Sequence, residues 1–183
     1  IYFRSRVTTL TINKLCRLIT EANNEFMNLQ KNIKQGRLVA KPLYLHITTD
    51  GGTLIAGFMA YDAIQNSQIP IYTIIEGYAF SAGTVMSMAG RKRYMTRSSY
   101  MLIHQLSAGC QGNFEQIKDS YINNELLMKH LKDIYIEKTN GKLKGKKLDD
   151  ILKRDIYINV ESCLKFGLID EIYEMEQIDI DED

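Results

Sequence analysis

The stretch EGYAFSAGTVMSMAG, residues 76–90, decides how this chain is read. It follows the β-branched run Ile71-Tyr72-Thr73-Ile74-Ile75, the mark of a buried strand. From Ser81 onward the residues are small or apolar, and Ala82, Gly83, Ser87, Ala89 and Gly90 suit a helix packed with close backbone approach. The expected arrangement is a strand over 71–75, a turn at Gly77 and a helix over 81–89. A hydroxyl then stands at a strand-to-helix junction, where the first N–H groups of the helix have no intrahelical partners. Ser81 is there either as an N-cap, worth about 1 kcal/mol, or as a nucleophile that needs rigid placement.

The same alternation extends outward in both directions. Residues 1–9 have strand character. Residues 11 to about 31 read as an amphipathic helix, with Ile12, Leu15, Leu18, Ile19, Ala22, Phe26 and Leu29 at three- and four-residue spacing. A basic connection, Lys34-Gln35-Gly36-Arg37, leads to Pro42 and a strand over 43–48 that breaks at Asp50-Gly51-Gly52. The next helix runs to about Gln65, with Leu54, Phe58, Tyr61 and Ile64 on one side. Beyond the opening stretch come a strand over 93–104, a loosened segment at Gly109 and Gly112, and a long helix over 113–140 stopped by Asn140-Gly141. A short helix over 148–154, a strand over 156–159 and a helix over 161–166 precede Gly167. This alternation predicts one α/β domain over residues 1–183 with largely parallel pairing.

Composition narrows the function classes. The 183 residues carry a net charge of +1 and are 45% hydrophobic, which allows a real core and leaves no electrostatic footprint for nucleic acid. Lys142, Lys144, Lys146 and Lys147, and the acidic end Asp179-Ile180-Asp181-Glu182-Asp183, read as solvated surface and tail. Cys16, Cys110 and Cys163 show neither a disulfide framework nor metal-ligand spacing, so a reducing compartment and no metal are expected. No apolar run approaches the ~18 residues of a membrane span. The chain opens on Ile1-Tyr2-Phe3 without a methionine, leaving room for a leader or loop, and the residues given carry no signal-peptide grammar.

Two further features bear on Ser81. Gly51-Gly52 also follows a strand, and a backbone turned there can aim an N–H outward. Paired with the amide of Ala82, it would stabilise an oxyanion by about 2.7–4 kcal/mol per donor. His104, in Leu102-Ile103-His104-Gln105, ends an apolar strand and is the best placed of three histidines. His46 lies inside a strand and His130 among lysines on the long helix, both as structural or solvent-facing residues. A serine nucleophile also needs an acid to orient its base. Asp155, Asp119, Asp133 and Asp170 all remain open on spacing alone.

In order, Asp50-Gly51-Gly52, Gly77-Tyr78-Ala79-Phe80-Ser81-Ala82-Gly83, Ile103-His104-Gln105, Arg154-Asp155 and Phe166-Gly167-Leu168-Ile169-Asp170 resemble the proteolytic subunits of the Clp protease family. The resemblance runs from about Leu43 to Tyr173. It implies the ββα spiral shared with crotonases, bearing a protruding handle helix over about 107–140 and here an acidic tail over about 176–183. By the same resemblance Ser81 is the nucleophile, His104 the general base and Asp155 the acid. Gly52 and Ala82 supply the oxyanion hole, and Leu54 and Ser107 pair with a substrate strand. The implied protein is a serine endopeptidase without cofactor, acting on peptides and unfolded proteins in the cytoplasm or an organelle matrix. Family members form two stacked seven-membered rings fed by a hexameric AAA+ unfoldase.

This chain departs from the family pattern in several places. Thr49-Asp50 stands for the usual Ser-Pro before the paired glycines, and a carboxylate facing the site would oppose the developing negative charge. Leu106 replaces a proline. Lys153-Arg154 replaces an acidic–basic pair that joins the rings. The connection over 31–41 is long, the pore-lining N-terminal loops do not appear, and Cys110 is expected to be a small packing residue. Three alternatives follow: a poorly cleaving or non-catalytic ring subunit, a phage-type capsid-maturation protease of the same fold, and a crotonase-like acyl-CoA enzyme. The joint presence of Ser81, His104 and Asp155 speaks against the first and third, and the lack of scaffold-like segments against the second.

Overall fold

The computed structural model describes residues 1–33, 36 and 38–174. The basic connection at 34, 35 and 37 and the acidic tail over 176–183 lie outside the described residues. In chain order the elements are β1 (Tyr2–Phe3), α1 (Thr9–Lys31), β2 (Leu43–Thr49), α2 (Leu54–Gln65), β3 (Ile71–Phe80) and α3 (Ala82–Met88). They continue with β4 (Lys92–Met95), β5 (Tyr100–Leu102), α4 (Phe114–Lys138), α5 (Gly145–Leu152), α6 (Val160–Phe166) and β6 (Glu171–Ile172).

The strands pair in parallel in the order β1-β2-β3-β4-β6, with β5 also on β3. The α/β expectation with parallel pairing is borne out. β3 is the organising strand because it serves two partners on one side. Its residues 72–75 pair with β4, and its residues 78–80 with β5. Between the two sets Gly77 adopts φ +72°, so it bends the strand where the sequence predicted its end. β2 is irregular at the same level, between Ile47 and Thr49.

The expected strand over 93–104 is therefore two strands. The segment between them folds into a turn, with Ser99 N–H donating to Thr96 O at 3.1 Å and Thr96 N–H to Ile75 O at 3.0 Å. Hydroxyls at Thr96 and Ser99 bond to each other and hold that turn. The strand expected over 156–159 is reduced to one antiparallel bridge, Met101 to Ile158, while Ile156 is exposed and Tyr157, also exposed, stacks its ring on Phe80. β6 was not anticipated; two residues are too short for a periodicity to register.

The helices match more closely. Thr8 caps α1 through a reciprocal box with Thr11. Ile12, Leu15 and Ile19 are buried, but Leu18 and Leu29 are exposed, so only the first half of α1 lies on the core. On α2 the buried face is Ala56, Gly57, Ala60 and Ile64; Leu54, Phe58 and Tyr61 flank it half-buried. The small residues win the inner face because α2 packs on α3, all seven residues of which are buried. α4 is capped by Asn113 and stopped by Asn140 and Gly141, at φ 51° and 71°.

Arg93 ties the far end together. Its side chain is nearly buried, pairs with Asp170, and donates to Lys138 O at 2.9 Å and Gly167 O at 3.0 Å. Cys163 is buried and Cys16 half-buried, but Cys110 is exposed, so the packing role expected for Cys110 is corrected. Its loop has no core to pack against. No described helix is long and apolar enough to cross a membrane.

Candidate active site

The bend at Gly77 sets β5 beside the last residues of β3, with Phe80 opposite Leu102. The two parallel strands thus end together, and Ser81 and His104 emerge at the same carboxyl edge of the sheet, where α/β folds place their sites. Ser81 N–H donates to Leu102 O at 2.8 Å. Ser81 takes φ 52° and ψ −125°, a conformation that costs a non-glycine residue roughly 1–3 kcal/mol and marks functional positions. Its side chain makes no capping bond to α3. The N-cap alternative is thereby set aside, and the hydroxyl is left free.

Gly51 and Gly52 have φ of +87° and +150°. Val7 pins them from the opposite side: its N–H donates to Gly51 O at 2.8 Å, and its carbonyl accepts from Thr53 N–H at 2.9 Å. A Cβ on Gly52 would stand 2.2 Å from Val7 O, and one on Gly51 2.4 Å from Phe80 O. Only glycine fits at either place. Among the described residues, no backbone bond uses the N–H of Gly52 or of Ala82, which leaves two uncommitted donors at the cleft. Asp50 is exposed and is not among the residues lining the cleft, so its carboxylate does not face the site as was considered from the sequence.

His104 Nδ1 lies 3.2 Å from Asp155 Oδ1. The carboxylate is on the loop after α5, which Gln105 N–H holds by donating to Leu152 O at 2.8 Å. Of the other acids left open by spacing, Asp133 pairs with Lys129 and Asp170 with Arg93, and no ion pair joins Asp119 to a described residue. His46 bonds Glu76 and stacks on Tyr2, whereas His130 is exposed and meets the edge of Phe58, in keeping with structural or solvent-facing residues.

A cleft of about 110 Å³ gathers Gly52, Leu54, Ser81, Ala82, His104 and Ser107. Asp155 stands outside it and reaches it through His104. Larger cavities of about 460 and 690 Å³ occur elsewhere, but neither contains Ser81 or His104, so chemistry rather than size selects the site. The sequence reading missed the floor of the cleft: Leu131 and Tyr135 come from the buried end of α4, and Thr84 lies just beneath Ser81. Nothing in the helical period of α4 distinguishes these two from its other apolar residues. A free serine hydroxyl, an imidazole held by a carboxylate and two unpaired amides can together perform acyl transfer through a tetrahedral oxyanion.

A family model described as Clp protease matches residues 18–176. A curated relative, the ATP-dependent Clp protease proteolytic subunit of Deinococcus radiodurans, is 36% identical over 132 residues. That match spans 71% of this chain and 64% of the relative's length.

Proposed function

The chain belongs to the Clp protease family, and from that premise we propose that it is a serine endopeptidase, the proteolytic subunit of an ATP-dependent Clp protease. The observation that carries this reading is the convergence of Ser81, with its hydroxyl unbonded to α3, and His104, held by Asp155, at the adjacent ends of β3 and β5.

In the proposed mechanism Ser81 Oγ attacks the scissile carbonyl while His104 Nε2 takes its proton. Asp155 keeps the Nδ1–H tautomer and stabilises the imidazolium. The amides of Gly52 and Ala82 receive the oxyanion, each worth about 2.7–4 kcal/mol. His104 then protonates the leaving amine, and water hydrolyses the acyl-enzyme. Leu54 and Ser107, which both line the cleft, would pair with the backbone of an extended substrate.

We further propose that residues 1–183 form one peptidase domain with α4 as its handle. In this reading the chain works in the cytoplasm or an organelle matrix, in two stacked seven-membered rings. Its substrates are peptides and unfolded proteins delivered by a hexameric AAA+ unfoldase. Phe114, Ile117, Tyr121, Ile122 and Leu126 leave an apolar side of α4 exposed, which supports a docking role for that helix. A second reading, of a subunit that is weakly active on its own, is favoured by one observation: the Asp155 side chain is 78% exposed, so solvent screens its pairing with His104.

A fluorophosphonate active-site label on the purified protein, read with its mass in solution, tests the proposal. Labelling that disappears in Ser81→Ala, with a particle of several hundred kilodaltons, is the expected result. Labelling that survives Ser81→Ala, or none in an assembled particle, would overturn it.

A further inference from the structure

Ser81 holds a conformation that its own sequence does not favour, and something must maintain it. Its carbonyl accepts two hydrogen bonds from one residue, Thr84: from the backbone N–H at 2.9 Å and from Oγ1 at 2.6 Å. Thr84 Oγ1 is in turn 2.5 Å from the hydroxyl of Tyr135. A threonine hydroxyl has one proton. Since that proton serves Ser81 O, the Tyr135 O–H must be the donor to Thr84 Oγ1. The chain of bonds therefore runs in one direction, from the phenol through the threonine to the Ser81 carbonyl.

Tyr135 suits this task. It is 1% exposed, it belongs to the only buried segment of α4 among the described residues, and its ring closes the floor of the cleft. Burial pushes its phenol well above the ordinary tyrosine range, so it remains a donor at any working pH. Thr84 is fully buried in α3. Neither hydroxyl has water to turn to, and such a pair is retained only with its partners in place.

Resting on the function proposed above, we infer that Tyr135 and Thr84 are positioning residues for the Ser81 nucleophile. They hold the Ser81 carbonyl turned inward. The hydroxyl is thereby kept aimed into the cleft, and the adjacent peptide presents the Ala82 N–H toward the oxyanion. Tyr135 also makes α4 a structural support of the catalytic serine, because a shift of this helix would move the phenol that ends the chain of bonds.

The test uses the full chain in its native assembly and a short fluorogenic peptide, comparing Tyr135→Phe, Thr84→Val, Thr84→Ser and the double variant Tyr135→Phe/Thr84→Val. Tyr135→Phe and Thr84→Val should each lower kcat by about tenfold, the scale of a lost buried hydrogen bond. KM should stay within about twofold, since these groups support the reacting serine rather than the bound peptide. Thr84→Ser should restore kcat, and the double variant should be no slower than Thr84→Val, as links in one series require. A kcat within about twofold of the parent in both single variants, or losses that multiply in the double variant, would overturn the inference. If Tyr135→Phe does not assemble, the contrast of Thr84→Val with Thr84→Ser decides alone. A parent protein that neither cleaves the peptide nor takes the label would instead overturn the proposed function.

Discussion

His104 Nδ1 and Asp155 Oδ1 stand 3.2 Å apart, yet one side chain is 25% exposed and the other 78%. A polar pair this open to solvent contributes little to stability, about 0–1 kcal/mol. The worth of Asp155 should therefore appear in rate and not in folding. Asp155→Asn is expected to lower kcat by at least about a hundredfold through loss of the correct tautomer, with the thermal midpoint lowered by no more than about 4 °C, the shift that about 1 kcal/mol makes in a chain of this size. Peptide cleavage and a melting curve on the same preparation check both halves; a stability loss with rate intact would reverse the assignment.

Gly52 is the least replaceable glycine of the cleft. It has φ +150°, and a methyl group there would meet Val7 O at 2.2 Å. Gly52→Ala should destabilise the protein by about 1–3 kcal/mol, the range for a strained backbone position. It should also abolish labelling, because relieving the clash moves the amide that faces the cleft. A variant that melts lower but labels normally would remove Gly52 from the proposed oxyanion hole.

Arg93 is expected to matter far from the chemistry. Its removal leaves Lys138 O and Gly167 O without their donor and Asp170 without its cation. Asp170 is partly in water, which moderates the cost, so Arg93→Met should destabilise by about 2–4 kcal/mol. Urea midpoints measure it. A change below about 0.5 kcal/mol, the scale of an ordinary surface substitution, would show that the cluster is dispensable.

Cys163 should make stability fall in alkali. Burial pushes its thiol from 9.0 up to about 12. Above pH 9 the unfolded chain sheds this proton while the folded one keeps it, so the contribution is complete below pH 9 and is lost as pH rises toward 12. The slope is up to about 1.4 kcal/mol per pH unit. Tyr61, raised from 10.0 to about 12 mainly by burial, adds in the same sense at higher pH. Urea midpoints between pH 8.5 and 10 should decline less steeply in Cys163→Ala than in the parent. Equal slopes would mean that the thiol ionises in place.

The sequence by itself determined the helices, the parallel α/β class and the glycine pair before α2. These depend on local rules: spacing of apolar residues, capping by Thr8 and Asn113, and the positive φ that Gly51, Gly52 and Gly141 accept. The order of short motifs also singled out Ser81, His104 and Gly52, which the fold then gathers in one cleft. What it could not determine depends on contacts between distant segments. Gly77 looks like the end of a strand until β5 is seen to continue the pairing beyond it. By spacing Asp155 is one acid among several; the family resemblance alone picks it out, and only the fold brings the loop after α5 beside His104. Tyr135 is an ordinary helical residue until its phenol is found beneath Thr84. Hydrogen bonds and burial of this kind join residues far apart in the chain, and only the packed tertiary structure decides which of them meet.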